Sequence, residues 1–152
     1  MIQNGINKDF VKKDKSHKQK VTKLTIMCMV YKDDGSFLVE NRVKKDWPGL
    51  TFPGGHVEDE ELIVDAVVRE MKEETGLEIS NIEPRGYIEW NEFGDDIRHL
   101  AMLFKTNSFK GKLKPSKEGN IFFIKEEDIE KYPLSNDFLE IYRRLKQWKQ
   151  DC

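Results

Sequence analysis

Residues 54 to 77 read GGHVEDEELIVDAVVREMKEETGL, and this stretch constrains the fold more than any other in the 152-residue chain. Apolar residues recur through it at helical spacing. The pattern predicts a helix over residues 59 to 75, with Asp59 as N-cap and Gly76 as C-cap. On a wheel of 3.6 residues per turn, Ile63, Val64, Val67, Val68 and Met71 gather into one stripe, which has to pack against another element. Glu70, Glu73 and Glu74 gather beside the stripe around Ala66, whose small side chain is expected to leave open space above the helix.

That acidic cluster costs energy. Eight carboxylates fall between residues 58 and 74, and Glu70 has Glu73 at i+3 and Glu74 at i+4. Like charges at these spacings repel by roughly a few tenths of a kcal/mol per pair. Glu73 and Glu74 also lie near the helix C-terminus, where the macrodipole disfavours negative charge. The plain reading is a solvated acidic face with Arg69 and Lys72 as counter-ions, but three acids converging on one small residue ask for a cation. A set of carboxylate oxygens suits Mg²⁺ or Mn²⁺ rather than zinc. Magnesium commonly completes its shell with substrate phosphate oxygens, so the cluster points to phosphate chemistry.

Around this helix the chain reads as strands. VTKLTIMCMVY resembles a buried strand, DDG a turn, and SFLVENRV the returning strand of a hairpin. WPGLTFPGG reads as a loop around a short LTF strand. RGYIEWNEF and IRHLAMLFKT form a second hairpin around GDD, and GNIFFIK a further strand. A last amphipathic helix is predicted from 136 to 149, with Phe138, Leu139, Tyr142, Leu145 and Trp148 as its apolar positions. Strands around two helices, without regular alternation, predict an α+β fold or a mixed-sheet sandwich. Residues 1 to 20 read as a polar, lysine-rich tail, and residues 21 to 152 as a single domain.

Charge and cysteine content narrow the partners. With 26 basic and 28 acidic residues the net charge is −2, so no global field draws the chain to nucleic acid or to an anionic membrane. No stable nucleic-acid partner is expected. The N-terminus has no apolar signal core, and the run IMCMVY is too short to span a bilayer, so the chain reads as cytoplasmic. Cys28 and Cys152 make neither a disulfide framework nor a metal-binding spacing and read as free thiols. Monomer and homodimer are both compatible with the sequence.

At the helix the residues resemble a known family. Gly55, five residues, Glu61, seven residues, then Arg69-Glu70-Met71-Lys72-Glu73-Glu74-Thr75-Gly76-Leu77 matches every position of the box that marks the MutT-like Nudix hydrolases. The resemblance implies an α/β/α sandwich with a mixed, curved sheet, and metal-dependent hydrolysis of a nucleoside diphosphate linked to another group. It implies Glu73 and Glu74 as principal metal ligands, joined by the Gly54 carbonyl, and Glu70 as a ligand or the general base. Arg69 would orient these glutamates and Glu61 would brace the site. Glu118, in KEG, resembles a further metal-binding glutamate, with a plain turn residue as its other reading; the base stays open between Glu70 and Glu118.

Substrate residues are implied more locally. LTFPGG places Phe52 where related enzymes line a base pocket, and YPLSNDF places Asn136 where an amide reads a purine edge. Arg42 and Arg98 match positions bordering the phosphate or sugar. Each has a structural alternative: a helix cap for Asn136, solvated strand residues for the arginines. Together these likenesses imply an 8-oxo-dGTP diphosphatase that sanitises the nucleotide pool and so serves DNA repair. ADP-ribose, a dinucleoside polyphosphate or dihydroneopterin triphosphate are the alternative substrates, and a non-catalytic nucleotide- or RNA-binding domain the alternative class. His56 and His99 are expected to be structural; Trp47 and Trp90 could stack a base, with packing as the expected role.

Overall fold

The computed structural model describes residues 21–91, 96–114, 117 and 119–146. The predicted N-terminal tail, Glu118, Trp148 and Cys152 lie outside the described residues. The chain runs β1 (Val21–Val30), β2 (Phe37–Arg42), β3 (Gly49–Thr51), β4 (Gly54–His56), α1 (Ile63–Thr75), β5 (Glu78–Ser80), β6 (Glu83–Asn91), β7 (Ile97–Thr106), β8 (Ser108–Lys110), β9 (Gly119–Ile124), a 3₁₀ helix (Glu126–Lys131) and α2 (Phe138–Lys146). Among the described residues no helix is long and apolar enough to cross a membrane.

The strands form a mixed four-stranded sheet, β4-β1-β7-β6, an antiparallel three-stranded sheet, β3-β2-β9, and the ribbon β5-β8. β1 runs parallel to β7 from Val21↔Ile97 to Val30↔Thr106 and antiparallel to β4. Its long apolar run has a physical reason, because it is covered on both faces. Ile26, Cys28 and Val30 join Val67 and Met71 of α1 in one core; Met29 joins Phe138, Ile141 and Leu145 of α2 in the other. The α+β class and the helix–sheet–helix layering agree with the expectation.

Several expectations are corrected. The DDG turn forms, but β1 and β2 are not a hairpin: they touch through one bridge, Tyr31↔Phe37, and diverge into different sheets. The helix begins at Ile63, after Leu62, and not at Asp59. Residues 58 to 61 close a turn in which the Glu61 N–H donates to the Glu58 carbonyl (3.1 Å) and the Glu58 N–H to Glu61 Oε1 (3.2 Å), so Asp59 cannot cap. Val64 and Val68 are 55% and 38% exposed, while Ala66, Val67, Glu70 and Met71 form the buried face. Ala66 is therefore packed, and the expected space above it is absent. In α2 Phe138 and Leu145 are buried as expected, Ile141 is buried with them although it was not among the expected positions, and Leu139 is exposed.

Candidate active site

β4 and α1 bring the box residues together around Arg69. Its Nε and Nη2 donate to Glu61 Oε2 (2.6 Å) and Oε1 (2.9 Å), a charge-assisted bidentate pair. Nη1 donates to Glu70 Oε1 and Glu73 Oε2, both at 3.0 Å, and Nη2 also to the His56 carbonyl at 3.0 Å. One guanidinium thus fixes the turn before α1, the end of β4 and two acids on the helix. The same contact holds the Glu61 carboxyl below the usual carboxylate range and pushes Arg69 up.

Two glycines make this packing possible. A Cβ on Gly55 would lie inside the Glu70 carboxylate, so only glycine lets that side chain lie flat against β4. At Gly76 the φ of 84° and the N–H to the Lys72 carbonyl (3.0 Å) end α1 in the left-handed conformation. Glu70 is only 9% exposed, and burial pushes its carboxyl up against the opposing pull of Arg69. Glu73 is solvent-facing, its side chain 57% exposed, and Glu74 is half-buried.

The donor set fits a hard divalent cation in chemistry: carboxylates on successive turns of one helix, beside backbone carbonyls of a glycine-rich strand. Among the described residues no three acidic, histidine or cysteine side chains already converge as a cage. Arg69 holds one oxygen each of Glu70 and Glu73, and the exposed Glu73 side chain is able to turn.

Next to this cluster a cavity of about 350 Å³ opens between the two larger sheets. Gly54, Gly55 and His56 form its floor on the α1 side; Phe52 and Arg42, both expected, line it. Phe52 is at the same time a core residue, stacked on Phe138 at 5.0 Å and 8°. Asn136 and Arg98 are exposed and are not among the lining residues. Trp47 and Trp90, weighed from sequence between base stacking and packing, line the cavity, as do His99, expected to be structural, and Glu40 and Asp46, which the sequence did not single out. Trp90 stacks on His99 (5.5 Å, 4°) and meets Trp47 at 5.9 Å. One signal was available: an acid at position 40 inside the apolar strand run FLVENR, where a charge needs a reason.

A NUDIX domain model matches residues 21–148. The chain is 30% identical over 112 residues to an uncharacterized Nudix hydrolase of Bacillus subtilis (strain 168), YvcI, covering 71% of this chain and 69% of the relative. It is 28% identical over 136 residues to an ADP-ribose pyrophosphatase of Methanocaldococcus jannaschii, covering 79% and 71% respectively. A MutT NUDIX hydrolase structure from Burkholderia pseudomallei shares the fold, with a TM-score of 0.72 at 18% identity over 85% of this chain and 100% of that one. With the family model spanning most of the chain and the complete box in place on β4 and α1, the protein belongs to the Nudix hydrolase family.

Proposed function

We propose that this Nudix hydrolase cleaves a nucleoside triphosphate to the monophosphate and pyrophosphate with Mg²⁺ or Mn²⁺, and that 8-oxo-dGTP is its substrate. The observation that carries the reading is the Arg69-braced pair Glu70 and Glu73, with Glu74 next to them on the helix, beside a nucleotide-sized cavity lined by Phe52 and Arg42. Glu73, Glu74, Glu70 and the Gly54 carbonyl would hold the cation, which when bound neutralises phosphate oxygens and acidifies a water. Arg69 keeps the glutamates oriented from below. Glu70, with its carboxyl pushed up by burial, is suited to accept a proton at neutral pH. Glu118 remains a second candidate for the base. Arg42, on the cavity wall, is placed to meet phosphate or sugar oxygens.

A second reading, hydrolysis of ADP-ribose, rests on the 28% identity to the M. jannaschii enzyme over most of both chains. A panel of 8-oxo-dGTP, dGTP, ADP-ribose, a dinucleoside polyphosphate and dihydroneopterin triphosphate, assayed with each metal and with product identification, separates the two. Glu73→Gln and Glu74→Gln should each slow pyrophosphate release by at least about a hundredfold with unchanged thermal unfolding. Near-normal turnover in both variants would overturn the site assignment.

A further inference from the structure

Packing alone does not account for the position of Trp47. Its neighbours on the loop between β2 and β3, residues 43 to 46 and 48, are all exposed, yet Trp47 is drawn in and half-buried. It belongs to neither apolar core of the described residues, whereas Trp90 packs against the core that α2 covers. The ring that Trp47 meets is Trp90, at 5.9 Å and 31°, and Trp90 in turn stacks on His99 at 5.5 Å and 4°. All three rings line the cavity beside the Nudix cluster. A planar indole has two faces, and one tilted neighbour covers at most one of them. An indole bordering an open cavity keeps apolar area in water, and a planar ligand laid on it removes that area from water.

The groups expected to hold the base are placed less well. Phe52 is 2% exposed and stacked on Phe138 at 5.0 Å and 8°, which leaves it little surface for a ligand. Asn136 is not among the lining residues. We propose that Trp47 is a specificity residue that holds the substrate's heterocycle by its face, with the Trp90–His99 stack keeping the indole in place. It selects a fused two-ring system, a purine or a pterin, over a pyrimidine. Every base has a π face, so stacking tolerates the groups along the ring edge, while the apolar area covered grows with ring size. Trp47 therefore contributes alike to guanine and to adenine. This inference rests on the proposed nucleotide hydrolase reading, whose base-holding group it names, but it concerns binding and needs neither metal nor turnover.

Calorimetric titration of the full chain with dGMP, dAMP, dCMP and 2-deoxyribose 5-phosphate, without divalent metal, tests it. The wild-type protein should bind the two purine nucleotides about tenfold or more tightly than the sugar phosphate, with dCMP between them. Trp47→Leu should weaken dGMP and dAMP by the same factor, roughly tenfold, weaken dCMP less, and leave the sugar phosphate unchanged. Trp47→Phe, which restores a ring face, should bring both purines back to within about threefold of the wild type. Because Trp47 lies in neither core, both variants should melt within about 2 °C of the wild type. A merely structural Trp47 would instead lower the melting temperature and weaken all four ligands alike. That outcome overturns the inference. So does dGMP bound no more tightly than the sugar phosphate by the wild type, unchanged purine affinity in Trp47→Leu, a loss confined to one purine, or no recovery in Trp47→Phe. Pyrophosphate release from the triphosphate panel is a separate measurement, so loss of the hydrolase reading and loss of the stacking assignment are told apart.

Discussion

Arg69 shows how one side chain can organise a site made mostly of repelling charges. It gives Glu61, Glu70 and Glu73 a common counter-ion and, through the His56 carbonyl, ties them to β4. Glu70 depends on a second condition, the missing side chain at Gly55. Gly55→Ala would place a methyl group where the Glu70 carboxylate lies, and the carboxylate, as the far end of a flexible side chain, is what yields. The fold should lose roughly 1–2 kcal/mol, while hydrolysis should fall far more steeply than stability. Thermal unfolding set beside steady-state kinetics checks that split, and equal retention of both would show that Glu70 can serve from another position. These residues were legible in the sequence because the box is local: spacing along one loop and helix fixes who meets whom. The meeting of Glu40, Trp47, Trp90 and His99 was not, because β2, the loop after it, β6 and β7 each bring one of them, and periodicity within an element says nothing about residues across it.

At the level of elements, α2 is held by two kinds of contact of unequal weight. Phe138, Ile141 and Leu145 are buried in the core beside Phe52 and Phe37. On its solvent side Lys146 Nζ and the Tyr142 hydroxyl donate to Glu126 Oε1 at 2.6 and 3.2 Å, fastening α2 to the 3₁₀ helix. Lys146 holds the Glu126 carboxyl below its ordinary value of 4.5. A carboxyl depressed on folding adds stability above its ordinary value and loses it as pH falls through the folded value. Because both charged side chains are about half exposed, the pair is screened and weak. Glu126→Gln should therefore lower the melting temperature only slightly at pH 7, and the difference should shrink as pH falls below 4.5 through the folded value, and in about 1 M salt. Phe138→Ala, by contrast, should cost roughly 3–5 kcal/mol at any salt concentration. A large, salt-insensitive loss in Glu126→Gln would mean that the 3₁₀ helix, not the core, positions α2. The amphipathic character of α2 was readable from its spacing. The start of α1 was not, because the acids before it serve a turn and Arg69 where a helical first turn was expected.

Across the whole molecule, the described residues form two apolar cores on either side of the mixed sheet, and β1, like β2 and β7, contributes buried residues to both. Its parallel partner β7 begins at Ile97, far along the chain from Val21, and its antiparallel partner β4 is three residues long. Strand composition revealed that β1 is buried on both faces. It could not reveal the neighbours, because pairing across such separations leaves no local periodicity. Cys28 reports on this arrangement from inside it. Its thiol is fully buried on the face of β1 that packs under α1, and burial pushes it up to about 12. Only the thiolate attacks electrophiles, so in the native protein Cys28 is shielded both by access and by protonation. To expose it, β1 must separate from α1 and from the rest of that core, which amounts to opening the central layer. Alkylation of Cys28 at about pH 8, read by peptide mapping so that Cys152 is scored separately, should be slower than that of an unfolded control by on the order of 10³-fold or more. Its urea midpoint should coincide with that of circular dichroism, as expected if the two cores open as one unit. Labelling that runs ahead of the loss of circular dichroism would instead identify the α1 side as a separately opening unit, and the Nudix cluster would then ride on the less stable half of the molecule.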